Sequence, residues 1–170
     1  DVAQLEQDGN FQWLVWVLED ASVDSITKVK AAKALGNLAA RDEDNKAAVM
    51  AAGALPPLVE LLRSDTDNGS RMAAKAVAIL ASGDDTKAAV AAAGAISPLV
   101  ELLSVGSVEG REEAVMALRI LTARNAANAE AAVAAGAPPL LVELLRAGSD
   151  KVREGVAEVL WNLAAATAAN

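Results

Sequence analysis

The 170-residue chain has no cysteine, no histidine and no tyrosine, and aromatic residues make up only 2% of it. Without cysteine there is no disulfide framework and no thiolate metal site. Without histidine, the Ser–His–Asp and Cys–His arrangements of nucleophilic catalysis cannot be assembled, and zinc sites of the common His/Cys type are excluded as well. No glycine-rich phosphate loop is present, since the glycines stand singly. No apolar run approaches the roughly 20 residues that span a bilayer, so no membrane insertion is expected. Positive charge is also scarce: 15 Lys and Arg stand against 23 Asp and Glu, a net charge of −8. Binding nucleic acid through its phosphates needs the opposite sign; the acidity reads as solubility. The acidic pairs at 84–85 and 112–113 read as solvated charge rather than acid–base machinery. The run RDEDN at 41–45 lacks the spacing of a calcium loop. No enzymatic activity, metal or cofactor is therefore expected.

What the chain has in abundance is alanine and leucine, within a hydrophobic fraction of 54%. Both are strong helix formers, so an all-α chain is favoured. One stretch also recurs. AAGALPPLVELLRS at 51–64 returns as AAGAISPLVELLS at 92–104 and as AAGAPPLLVELLRAG at 134–148. A worn copy, QDGNFQWLVWVLED, occupies 7–20. The turn glycines Gly9, Gly53, Gly94 and Gly136 are 44, 41 and 42 residues apart. A fixed period near 42 marks a helical solenoid. A single domain over 1–170 is expected, with units of about 1–44, 45–85, 86–127 and 128–169.

Each unit parses as three helices. In the second unit Asn45 is positioned as the N-cap of a short first helix. Gly53 ends that helix, because only glycine enters φ > 0 without steric cost. Pro56 and Pro57 open the second helix, where a missing N–H is harmless. Leu58, Leu61 and Leu62 point inward and Glu60 outward. The third helix, over about 69–81, carries Ala73, Ala76, Val77 and Leu80 at helical spacing. By the same count the caps of the other units are Asp1, Thr86 and Asn128, and one more step reaches Asn170. The sequence starts at Asp1 and ends in the apolar WNLAAATAA, whereas solenoid ends are ordinarily polar. The array is therefore expected to continue beyond this end, or to be covered there by a partner.

A glycine turn, then [LI]-P-x-L-V-x-L-L, then a third helix ending A-L-x-N-L-A resembles the armadillo repeat. Residues 53–62, 94–103 and 136–145 carry the first part, and ALGNLA at 34–39 and VLWNLA at 159–164 carry the second. The resemblance implies a right-handed α-solenoid of about four stacked three-helix armadillo repeats, whose third helices line a concave groove. It implies a protein-interaction scaffold that holds an extended segment of a partner protein, with a eukaryotic origin and a cytoplasmic or nuclear location by default, an organelle being the alternative because the sequence does not begin with Met. The alternative is a structural linker in a larger assembly, touching its neighbours through end faces and convex surface.

In importin-like members of the family, an asparagine on each third helix pairs with the peptide backbone, and a tryptophan one turn earlier forms side-chain pockets. Here the asparagine position reads Asn37, Ile79, Ile120 and Asn162. The tryptophan position reads Lys33, Lys75, Met116 and Glu158. The groove is thus expected to be basic in its N-terminal half, at Lys30, Lys33 and Lys75. Its C-terminal half is expected to be acidic, at Glu113 and Glu158, with Arg119 interrupting. Such a surface would orient a bipolar ligand. Asn162 with the adjacent Trp161 forms the leading candidate contact pair, and Asn37 the second. Trp16 occupies the position of Glu60, Glu101 and Glu143, which should face solvent. With Phe11 and Trp13 it forms either a partner contact or local end-packing.

Overall fold

The computed structural model describes residues 10–64 and 66–168, together with Val2. Among the described residues eleven helices follow in order: α1 (Phe11–Glu19), α2 (Ser25–Ala39), α3 (Glu43–Ala51), α4 (Leu55–Leu62), α5 (Asp67–Leu80), α6 (Asp84–Ala92), α7 (Ile96–Val105), α8 (Val108–Thr122), α9 (Ala126–Ala134), α10 (Ala137–Ala147) and α11 (Asp150–Ala168). No strand occurs among the described residues. Helices α3–α5, α6–α8 and α9–α11 form three complete three-helix units, and α1–α2 supply the second and third helices of the first. The expected cap Asp1, the turn residue Gly9 and Asn170 lie outside the described residues.

The glycine turns form as the period predicts. Gly53, Gly94 and Gly136 have φ of +83°, +84° and +87°. Each closes a first helix with a left-handed residue and sends the chain into the second. Helices α6 and α7 meet at 78° across such a turn.

The caps of the first helices lie three residues before the expected ones. Asp42, not Asn45, caps α3: its Oδ1 accepts from the Asn45 N–H at 2.7 Å. Gly83, not Thr86, precedes α6, and the Gly83 N–H donates to Thr86 Oγ1 at 3.1 Å. Asn125, not Asn128, caps α9, accepting from the Asn128 N–H at 3.0 Å. In the Asp42–Asn45 and Asn125–Asn128 boxes a polar residue sits at both ends, and composition alone does not say which end is the cap; in the third unit the cap is Gly83, which has no side chain to signal it. Asn128 turns inward instead. Its Nδ2 donates to the Leu121 carbonyl at 2.9 Å and the Lys87 carbonyl at 3.4 Å, stitching the fourth unit to the third.

Two buried lysines brace the middle units. Lys46 Nζ reaches Glu43 at 2.7 Å and Ser82 Oγ at 2.6 Å. One period later, Lys87 Nζ reaches Asp84 at 2.8 Å and the Ala123 carbonyl at 3.0 Å. Each ties the start of a first helix to the end of the third helix of its own unit, where the dipole favours a cation. The bonds from Lys87, with a smaller effect from Arg124, hold the Asp84 carboxyl below its ordinary pKa.

The core runs the length of the stack. Leu58, Leu99 and Leu141 are fully buried at one register position, and Leu35, Leu80, Leu118 and Leu121 fill the third-helix side. Third helices α2, α5, α8 and α11 pack side by side in that order. Small residues allow the close approach. A Cβ on Gly36 would lie 3.4 Å from Ala76, and one on Gly155 only 2.8 Å from Val115 Cγ1.

Candidate functional site

The side-by-side third helices present one face formed by α2, α5, α8 and α11. Each is fixed at its start. Asp24 Oδ1 caps α2, accepting from the Thr27 N–H at 3.0 Å. Thr66 and Ser107 hydroxyls cap α5 and α8 through Gly69 and Gly110. Asp67 at the start of α5 also accepts from the Ser107 N–H at 3.0 Å, locking the register of α8 against α5. Hydrogen bonding from Ser107, side chain first and backbone second, holds the Asp67 carboxyl below its ordinary pKa.

Among the described residues, the hollows on or beside this face include the following three. The central one, about 420 Å³, is lined from three third helices: Lys75, Ala78 and Ile79 of α5 with Ser82 just past its end, Glu112, Glu113, Met116 and Ile120 of α8, and Lys151 of α11. Its floor of Ile79, Met116 and Ile120 is partly buried and packs against the core. A second hollow of about 180 Å³ lies between α8 and α11 around Met116, Arg119 and Glu158. The third, about 320 Å³, groups Trp161 and Asn162 of α11 with Thr122, Arg124 and Asn125 from the end of α8.

Charge differs along the face. Lys33 and Lys75 are exposed and make no ion pair among the described residues. Glu158 does not stand alone as an acidic contact. Arg119 Nη1 lies 3.2 and 3.3 Å from its two carboxylate oxygens, and Arg119 Nη2 contacts Met116 Sδ at 3.0 Å. Lys151 likewise pairs with Glu112 at 3.4 Å. Of the two acidic residues expected in this half, Glu113 is the one without an ion pair among the described residues.

The structure brings Trp161 and Asn162 together on one hollow. Trp161 is 76% exposed. Asn162 Nδ2 donates to Thr122 Oγ1 at 3.1 Å, and that hydroxyl donates to the Leu118 carbonyl at 2.8 Å. The amide is therefore oriented by the preceding repeat. Asn37 is exposed at the far end of the face and has an interaction of its own within the molecule. Sequence reasoning missed Arg124, which lines the Trp161 hollow and has φ of +53°, the one left-handed residue besides glycines among those described.

Trp13 and Trp16 lie apart from this face, on α1. They are 47% and 46% exposed and meet edge to face at 4.4 Å and 80°. Trp16 faces solvent, as its position predicts. Phe11 does not join them: it is partly buried and packs on the core, taking the register place of Leu55.

The glycine turns, the recurring caps and the stacked third helices repeat one unit throughout. Three armadillo/beta-catenin-like repeats are recognised at residues 42–82, 83–123 and 125–165. The chain belongs to the armadillo-repeat family. Among solved structures, a designed armadillo repeat protein is 31% identical over 95% of this chain and 68% of its own, with a TM-score of 0.85. Computationally designed armadillo repeat proteins for modular peptide recognition match at 32% identity over 96% of this chain and 68% of theirs, with a TM-score of 0.86. A designed armadillo repeat protein in complex with the peptide (KR)4 is 30% identical over 98% of this chain and 74% of its own, with a TM-score of 0.82. The chain spans 62% and 66% of the length of two further engineered proteins that share the architecture. No curated protein matches the sequence. The armadillo fold is a protein-binding scaffold, and this chain is built on it.

Proposed function

We propose that the chain holds a segment of a partner protein on the face formed by its third helices. The observation that carries this reading is the central hollow, formed jointly by α5, α8 and α11, with unpaired Lys75 and Glu113 at its margin. A preformed surface of this kind lowers the ordering cost on one side of the interface. Lys33 and Lys75 occupy positions that would repel a uniformly basic segment such as the (KR)4 bound by the designed relative. The preferred partner segment is instead bipolar, with its acidic end over α2 and α5 and its basic end toward Glu113. The test is a titration of the chain with labelled bipolar peptides and with (KR)4. Bipolar peptides should bind more tightly and lose at least tenfold in affinity on Lys33→Glu with Lys75→Glu. Binding that is unchanged by the charge swap, or preference for (KR)4, would overturn the reading.

A second reading, a linker held by its ends, is favoured by one observation. Val142 and Leu145 of α10 are each 38% exposed, while Val100 and Leu103, one period earlier, are each 2% exposed beneath the following repeat. A linker of this kind would tolerate Asn162→Ala and Trp161→Ala but lose its neighbours on Leu145→Glu or Trp16→Glu.

A further inference from the structure

We infer that the middle of the groove accepts its partner as an amphipathic α-helix rather than as an extended strand; this rests on the groove reading above and specifies the conformation of the ligand. An extended segment carries unpaired N–H and C=O groups along its whole length. Covering them with an apolar floor that offers no partner costs the desolvation of each group with no bond to offset it. The positions that face such a segment in the middle repeats are Ile79 and Ile120, and Met116 lies between them. None can pair with a backbone. The amides remain only at the ends of the face, in Asn37 and Asn162, and Asn162 already donates to Thr122.

A helix satisfies its own backbone and presents only side chains. An apolar stripe at i, i+3, i+4 and i+7 needs what the hollow provides: an apolar floor flanked by charge. The hollow's 420 Å³ lies within the range of about 300–1,000 Å³ typical of ligand clefts. It runs across three stacked helices, two interaxial steps of about 8–10 Å. That distance matches roughly three helical turns at about 5.4 Å each. The margins set the flanks. Lys75 on α5 calls for an acidic residue, and Glu113 on α8 for a basic one. Neither has an ion-pair partner among the described residues, whereas Glu112 and Lys151 neutralise each other at 3.4 Å. The helix therefore carries an acidic residue toward its α5 end and a basic residue toward α8, both at the edge of its apolar stripe.

The test uses the full chain and two peptide sets of identical composition with Leu, Met or Phe anchors. One set spaces the anchors at i, i+3, i+4 and i+7 with Glu toward one end and Lys toward the other; the other set alternates the anchors at period two with the same end charges. Affinity is read by fluorescence anisotropy, and peptide conformation by isotope-edited NMR. The helical set should bind at least tenfold more tightly and gain helix on binding. Ile79→Asn with Ile120→Asn, which returns backbone partners to the middle of the groove, should narrow or reverse that preference while the chain's circular dichroism stays unchanged. Tighter or equal binding by the period-two set overturns the helix proposal and leaves the groove scaffold standing. Binding of neither set also overturns it, and the bipolar peptides and (KR)4 then decide separately whether the groove reading falls too.

Discussion

The two halves of the third-helix face are built to one plan and carry charge in two ways. In the N-terminal half, on α2 and α5, Lys33 and Lys75 project from exposed positions without ion pairs among the described residues. In the C-terminal half, on α8 and α11, Arg119 clasps Glu158 and Lys151 pairs with Glu112. The same register position is thus a free cation in two repeats and a neutralised acid in the fourth. On this face, both ion pairs of the C-terminal half join third helices of neighbouring units, 39 residues apart in sequence. A charge read on its own helix alone is read incompletely.

The strongest way to break the comparison is to remove the wall that supports the C-terminal half. Leu118 of α8 is fully buried in the core. Leu118→Ala should cost about 2–5 kcal/mol in chemical denaturation, whereas truncating the partly buried Met116 should cost clearly less. Reversing the N-terminal half comes next. Lys33→Glu with Lys75→Glu should leave stability within about 0.5 kcal/mol, because both side chains are exposed, while bipolar-peptide affinity falls at least tenfold. A double-mutant cycle on Arg119 and Glu158 sharpens the contrast from the other side. Their side chains are 34% and 49% exposed. The coupling should therefore be about 0.2–1 kcal/mol and fade in high salt. The smallest effect lies on the seam between the halves. The folded pKa of Asp67 is depressed, so its bond to Ser107 stabilises the chain above the ordinary carboxylate value of 3.8 and is lost as pH falls through the lower folded value. Asp67→Asn should flatten this acid limb of the stability curve, and an unchanged limb would remove Asp67 as its source.

The fold was legible because the residues that specify it recur. Gly53, Gly94 and Gly136 each demand a left-handed turn, and Leu58, Leu99 and Leu141 each fill the same core place. Helix starts were less legible, since Asp42 and Asn45 are both good caps and only the hydrogen bond decides between them. The site was legible in part. The proximity of Trp161 and Asn162 follows from adjacency in sequence, and the exposure of Trp16 from its register. The Arg119–Glu158 pair spans 39 residues and sits one helical turn off the repeat register, so counting by period passes over it. The left-handed Arg124 has no sequence signal at all, since arginine carries no preference for that conformation.

The tryptophans make the two ends of the molecule optically distinct. There is no tyrosine, so near-ultraviolet absorption and emission come almost entirely from three indoles. Trp13 and Trp16, with ring centroids 4.4 Å apart at 80°, are close enough for their transition dipoles to couple and give a split circular-dichroism band. Trp161, on the last helix, is a solitary and solvent-lit emitter. A ligand seated beside Asn162 shifts the colour of one emitter and leaves the couplet untouched, while one that docks on the first helix distorts the couplet and leaves that emitter unchanged. The chain thus carries a native two-channel reporter, and Trp161→Phe turns off one channel without a label being added.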